Sequence, residues 1–133
     1  MSLSNKYSYF NKVAGAERKT RRYVYHISHP KNTKKILQEG LKVRVGYVYE
    51  MYTKSKGQDK KDVPPAIFAF NMPKRKIVEP KKFPEYRILG TVLWRIDTQK
   101  LPNVWYKDGH FENSDIRIVT FEDIPLSAIK LVN

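Results

Sequence analysis

The sequence has 133 residues, enough for one domain with its own core, and no cysteine, which excludes disulfides, thiolate metal sites and a cysteine nucleophile. It carries 26 Lys and Arg against 13 Asp and Glu, and this net charge of +13 favours nucleic acid or another polyanion as a partner. No stretch approaches the ~20 apolar residues of a membrane span and no secretory signal precedes the basic residues, so we expect a cytoplasmic protein.

The first 22 residues end in a basic run and are predicted to form a basic N-terminal arm, followed by a single domain over residues 23–133. Residues 23–28 are aromatic and β-branched, which predicts a first strand. Because side chains alternate along a strand, one face should carry Tyr23, Tyr25 and Ile27, and the other Val24, His26 and Ser28.

A short helix is predicted over residues 31–39, directly after this strand. Asn32 is a residue type that caps helices, and Gly40 is a good residue to end one because it tolerates a positive φ. Ile36 and Leu37 are expected to face inward while the lysines face solvent.

The rest of the chain predicts mainly strands. A tyrosine-rich stretch at 45–52 fits either a strand or a short helix, a lysine-rich loop follows it, and 72–85 is expected to be irregular. Further strands are predicted at 66–70, 87–97, 104–106, 115–120 and 128–132. One helix and about six strands indicate an α+β fold with a largely antiparallel sheet.

Two blocks carry a family resemblance. The sequence Tyr25-His26-Ile27-Ser28, followed by Ile36-Leu37-Gln38-Glu39-Gly40-Leu41, resembles the opening of ADP-ribosyltransferase-like domains, which RNA 2′-phosphotransferases and several bacterial toxins share. Weaker similarity extends over roughly residues 23–132. The resemblance implies a split antiparallel sheet of about six strands with one or two short helices, and NAD⁺ bound as substrate, without a metal, in a cleft between two small sheets.

The resemblance also implies roles for residues of the first strands. His26 would be the histidine that hydrogen-bonds the ribose and backbone of NAD⁺, with Ile27 and Ser28 beside it. Phe68 occupies a position where the family often has tyrosine, and its ring would flank the nicotinamide. The residues alone equally allow His26 to be hydrogen-bonded in the core and Phe68 to be a packing residue.

The acidic group that stabilises the ribosyl cation would be Asp115 or, as an alternative, Glu112. The family has glutamate there, so Asp115 is one methylene shorter than the usual residue. Tyr47 and Tyr49 are candidates to line the ligand cleft or to stack on bases.

Three functions remain open at this point. The first is transfer of ADP-ribose from NAD⁺ to nucleic acid or protein, and the second is a non-catalytic basic module of the same fold that binds nucleic acid. The third is an RNA 2′-phosphotransferase-like enzyme, whose paired phosphate-binding arginines have only Arg22, Arg44 and Arg95 as candidates. Three histidines without a cysteine do not indicate a metal site, and the sequence leaves the acceptor and the oligomeric state open.

Overall fold

The computed structural model describes residues 17–43, 65–78, 92–107 and 116–132. Within these ranges there are two short α-helices, α1 (Thr33–Glu39) and α2 (Lys74–Ile77). The strands of the same ranges are β1 (Tyr23–Ser28), β2 (Ile67–Phe70), β3 (Val92–Asp97), β4 (Tyr106–Lys107), β5 (Arg117–Thr120) and β6 (Ile129–Leu131). Short 3-10 turns lie at Pro30–Asn32, Thr98–Lys100 and Leu126–Ala128.

The six strands form one sheet in the order β4-β5-β2-β1-β3-β6, and every neighbouring pair is antiparallel. This confirms the predicted α+β class with an antiparallel sheet and short helices. β1 and β2 lie at its centre, as the apolar strand at 66–70 predicted, because both of their edges are paired.

Two apolar clusters lie on opposite faces of the sheet. One face, here called the helix face, packs against α1. Its buried residues come from four strands and are Val24, Ile67, Ala69, Trp94, Ile96 and Ile118. The tyrosine face carries the alternate residues of the same strands, Tyr23, Tyr25, Ile27, Phe68, Phe70, Leu93, Arg95 and Arg117, and its smaller cluster is covered by α2. The predicted alternation of β1 is therefore confirmed.

The start of the helical segment differs from the expectation. The chain first makes the 3-10 turn and only then α1, and Asn32 makes no side-chain capping bond. Instead Nδ1 of His29 accepts a hydrogen bond from the Lys31 N–H at 3.1 Å. The inward orientation predicted for Leu37 is wrong, since that side chain is 48% exposed whereas Ile36 is buried. A helix of only seven residues directs one narrow stripe of side chains at the sheet.

Gly40 ends α1 as predicted, with a φ of 78°. A Cβ atom at this position would lie 2.5 Å from the main-chain oxygen of Ile124, so only glycine fits. The next residue, Leu41, forms an isolated antiparallel bridge with Ile124, with N–H···O distances of 2.9 and 2.8 Å. The end of α1 is thereby fixed to a distant part of the chain.

Sequence patterns missed α2, which lies in the stretch expected to be irregular. Pro73 precedes it with an extended φ and ψ, and three consecutive basic residues follow. Its single apolar residue, Ile77, is fully buried in the tyrosine-face cluster. A one-turn helix held by one side chain has no periodicity to detect.

Part of the expected N-terminal arm lies along the sheet. The Arg18 N–H donates to the Trp105 carbonyl, and the Thr98 N–H donates to the Arg22 carbonyl, both at 2.8 Å. The Arg21 N–H donates to Oδ1 of Asn71, also at 2.8 Å. Residues 17–22 are thus hydrogen-bonded to the domain, while the rest of the predicted arm and the tyrosine-rich stretch at 45–52 lie outside the described residues.

Candidate functional site

His26 lies on a central strand and is half-buried. Its Nδ1 atom is 2.7 Å from the main-chain oxygen of Phe68. Because a carbonyl oxygen only accepts, Nδ1 must carry the hydrogen and donate it. This bond fixes both the tautomer of the neutral ring and its orientation toward β2.

This hydrogen bond joins β1 and β2, the neighbouring strands with the fewest register pairs in the sheet. β1 pairs with β3 over six consecutive residues but with β2 through one register pair, Tyr25 opposite Phe70. Continuing that register would place Ile27 opposite Phe68, yet these two residues do not form a ladder pair. The imidazole of His26 bonds the Phe68 carbonyl instead, so two three-stranded halves, β4-β5-β2 and β1-β3-β6, meet over a short junction.

The two neighbours of His26 have roles in the core. Ser28 is 1% exposed, and its Oγ accepts a hydrogen bond from Nε1 of Trp94 at 2.9 Å. Ile27 is buried in the cluster on the tyrosine face. Ser28 and Ile27 therefore anchor the two faces of β1 in the core. Of these three neighbouring side chains, the imidazole of His26 has the most varied chemistry.

The ring of Phe68 does not share a face with the imidazole. Phe68 alternates with Ile67 and Ala69, which pack on the helix face, and it pairs with Val119 of β5. Its ring consequently points to the tyrosine face, whereas His26 lies on the helix face, the side that carries Val24 and Ser28. The expected common cleft for the two side chains is not formed, and Phe68 instead contacts His26 through its main-chain oxygen.

Four of the predicted site residues, Asp115, Glu112, Tyr47 and Tyr49, lie outside the described residues, as does Arg44. In the ranges that the structure describes, no cluster of three or more acidic or histidine side chains is arranged to hold a metal ion. None of the helices in those same ranges is long and apolar enough to cross a membrane.

Sequence reasoning missed a groove on the tyrosine face. It has a volume of about 260 Å³ and lies between the start of β1 and the start of α2. Its lining is basic and aromatic, and consists of Arg21, Arg22, Tyr23, Tyr25, Pro73 and Lys74. The alternating tyrosines of β1 were the available signal, but α2, which forms the other wall, was not predicted.

Two arginines meet at one tyrosine beside this groove. The Cζ atoms of Arg22 and Arg95 lie 5.0 and 4.4 Å from the ring centroid of Tyr23, within the range of cation–π contacts. Two of the three arginines considered as phosphate ligands are thus brought together, although they are 73 positions apart in the sequence.

Asp97 holds one of these arginines. Its carboxylate accepts from Nη2 and Nε of Arg22 at 3.3 and 3.4 Å, and also from the Gln99 N–H at 3.1 Å. The hydrogen bond from Arg22 lowers the pKa of Asp97 below its ordinary value, and the same bond raises the pKa of Arg22. The pair therefore stays ionised at neutral pH and keeps the guanidinium group in place.

Comparison of the chain with protein-family models, with curated proteins and with solved structures finds no match. The resemblance of β1 and α1 to ADP-ribosyltransferase-like domains therefore stays a prediction from their residues.

Proposed function

We propose that the protein binds NAD⁺ at the junction of β1 and β2 and transfers its ADP-ribose group to an acceptor. The short junction beside an oriented histidine carries this proposal. The family resemblance implies a histidine on the first strand, to which His26 corresponds, and a ligand cleft between two small sheets. The six strands here form one sheet, and its one-pair junction between β1 and β2 supports placing the ligand beside His26.

His26 would hold the NAD⁺ ribose, with the Phe68 carbonyl keeping the imidazole in one orientation. Such prior orientation lowers the entropic cost of positioning the reacting sugar. Because the Phe68 ring lies on the other face, the aromatic contact to nicotinamide would come from Tyr47 or Tyr49.

The reaction breaks the bond between the ribose anomeric carbon and the nicotinamide nitrogen. Nicotinamide leaves with the bonding electron pair, and the sugar becomes oxocarbenium-like. A carboxylate, Asp115 or Glu112, would stabilise that positive charge. A nucleophile of the acceptor then bonds to the anomeric carbon and loses its proton to solvent or to the same carboxylate.

A comparison of two histidines tests the proposal. His26→Ala is expected to abolish NAD⁺ consumption and the rise in melting temperature that millimolar NAD⁺ produces in the unmodified protein. His29→Ala, three positions away and exposed, is the matched control and should retain both. His26→Gln, whose side-chain amide can donate to the Phe68 carbonyl, separates loss of that hydrogen bond from loss of the imidazole.

Absence of an NAD⁺ effect on the melting temperature of the unmodified protein, or equal consumption by the protein and its His26→Ala variant, would overturn the proposal. Asp115→Asn and Glu112→Gln identify the carboxylate, since the correct one should lower consumption while NAD⁺ binding persists. Full activity in both variants would show that neither carboxylate stabilises the ribosyl cation.

A further inference from the structure

We infer that the tyrosine face binds a single-stranded nucleic acid, which lies across the groove between β1 and α2 with its phosphates on arginine and its bases against tyrosine. This inference goes beyond the proposed function, since it uses the face of the sheet opposite to the helix face, on which His26 lies.

A row of cationic and aromatic side chains crosses this face. The strand registers place Lys130 opposite Arg95, Arg95 opposite Tyr25, Tyr25 opposite Phe70, and Phe70 opposite Arg117. Side chains of directly opposed residues lie on the same face of an antiparallel sheet. Phe70 is buried in the cluster under α2, so the accessible part of the row runs from Lys130 through Arg95 to Tyr25, which lines the groove. With strands about 4.8 Å apart, this part is roughly 10 Å long and leads into the groove, which suits an extended strand better than a small compact ligand.

The guanidinium groups beside the groove are held in place before any ligand binds. Tyr23 lies within cation–π distance of both Arg22 and Arg95, and Asp97 fixes Arg22 through two hydrogen bonds. Planar guanidinium groups match phosphate oxygens and also stack on bases. Prior orientation reduces the side-chain entropy that phosphate binding would cost.

Tyr25 supplies the stacking surface. It is half-buried, it lines the groove, and it packs against the small apolar cluster that α2 covers. An aromatic ring held in this way can stack on any base, whereas the bases of a duplex already stack on each other. The geometry therefore favours a single strand over a double helix.

The charge and the size of the groove indicate a polymer. Arg21 and Lys74 add two exposed cations to its walls, and Asp97 balances only Arg22. Its volume of about 260 Å³ lies below the roughly 300–1,000 Å³ of enclosed small-molecule sites. One nucleotide unit would fill it while neighbouring units continue along the row of cations.

The test is fluorescence anisotropy with a labelled oligodeoxythymidylate of about 20 nucleotides, longer than the ~4–16 nucleotides that single-strand sites of this kind cover. Affinity is measured over a series of salt concentrations, with the unlabelled oligonucleotide and its duplex as competitors. We expect the single strand to compete at least tenfold better than the duplex, and affinity to fall as salt rises.

Charge-matched variants locate the site. Lys130→Ala and Lys35→Ala each remove one exposed lysine, but Lys35 lies on α1, away from the tyrosine face. Lys130→Ala and Arg95→Ala are expected to weaken binding severalfold and to reduce the salt slope by about 0.7, the value of one phosphate contact on a single strand. Lys35→Ala should leave both unchanged.

Stacking is tested at Tyr25. Tyr25→Phe keeps the ring and should bind as the unmodified protein does, whereas Tyr25→Leu fills similar apolar space without a flat face and should bind about tenfold more weakly. Melting temperatures confirm that the variants are folded. His26→Ala and saturating NAD⁺ should leave oligonucleotide binding unchanged, so failure of the NAD⁺ proposal is distinguishable from failure of this one.

Three outcomes would overturn the inference. Equal weakening by Lys35→Ala and Lys130→Ala would mean general attraction to a basic protein, with no site on the tyrosine face. Equal affinity of folded Tyr25→Leu and the unmodified protein would remove base stacking. Equal competition by duplex and single strand would show that only phosphates are bound.

Discussion

The two faces of the sheet are built from alternate residues of the same strands, yet they differ in kind. The helix face is a largely apolar layer packed against α1, in which Ser28 accepts a hydrogen bond from Trp94 and the half-buried His26 bonds the Phe68 carbonyl. The tyrosine face has a small apolar cluster under α2 and, beside it, aromatic rings interleaved with arginine and lysine. The helix face therefore supplies most of the core, whereas the tyrosine face exposes most of the cationic and aromatic side chains.

The largest loss of stability is expected when the side chain of Trp94 is removed from the core on the helix face. This side chain is fully buried, and Trp94→Ala should lower the free energy of unfolding by about 3–5 kcal/mol, measured by urea denaturation. Tyr23→Ala on the opposite face removes a half-buried ring of the same class and serves as the control. An equal loss for both variants would contradict the difference between the faces.

Two adjacent residues of α1, one buried and one exposed, allow a second comparison of stability. Ile36 is buried against the sheet, so Ile36→Ala should cost about 2 kcal/mol or more. Leu37 is largely exposed, so Leu37→Ala should change stability by less than about 0.5 kcal/mol. A reversed order in chemical denaturation would show that α1 packs with a different face.

A smaller loss of stability is expected when the hydrogen bond between Ser28 and Trp94 is removed. Ser28→Ala leaves the indole N–H buried without its acceptor, which should cost about 1–3 kcal/mol. Ser28→Thr keeps the hydroxyl and is the companion variant, so retention of stability there would assign the loss to the oxygen atom. Unchanged stability in Ser28→Ala would indicate that solvent reaches this position.

The smallest effect is expected at Asp97 and depends on pH. Its folded pKa is lowered, chiefly by the hydrogen bond from Arg22, so its contribution to stability is present above its unfolded pKa of about 3.9. That contribution is lost as pH falls through the lower, folded pKa. Asp97→Asn should therefore be less stable than the unmodified protein at pH 7, with the difference shrinking below about pH 4 in thermal melts.

The same variant also reports on the tyrosine face. Asp97→Asn removes the carboxylate that balances Arg22, so the inferred site should bind the oligonucleotide more tightly even though the protein is less stable. Weaker binding by a folded Asp97→Asn protein would mean that the orientation of Arg22 matters more than its charge.

Local patterns in the sequence predicted the parts of the fold that local forces determine. Residues 23–28 combine β-branched and aromatic side chains and form β1 with the expected alternation. Gly40 ends α1 because no other residue fits beneath Ile124. The exposure of Leu37 and the existence of α2 were not predicted, because each depends on which distant part of the chain packs against that segment.

The candidate site was predictable in part. His26 was a candidate through a resemblance, but its bond to the Phe68 carbonyl requires β1 and β2 to separate after one pair, which no local pattern encodes. On the tyrosine face, the groove joins Arg22 and Lys74, and Arg95 from a third segment lies over the ring of Tyr23 beside it. Only the folded chain brings those cations together.

The bridge between Leu41 and Ile124 has a consequence for the order of folding. It is extended by the Val43 N–H, which donates to Oδ1 of Asp123, 80 positions away, at 2.8 Å. A chain emerging from the ribosome cannot anchor the end of α1 until residues 123–124 are available. The core around the end of α1 is therefore completed only when the last part of the domain has been synthesised, and the apolar residues of β1 stay accessible until then.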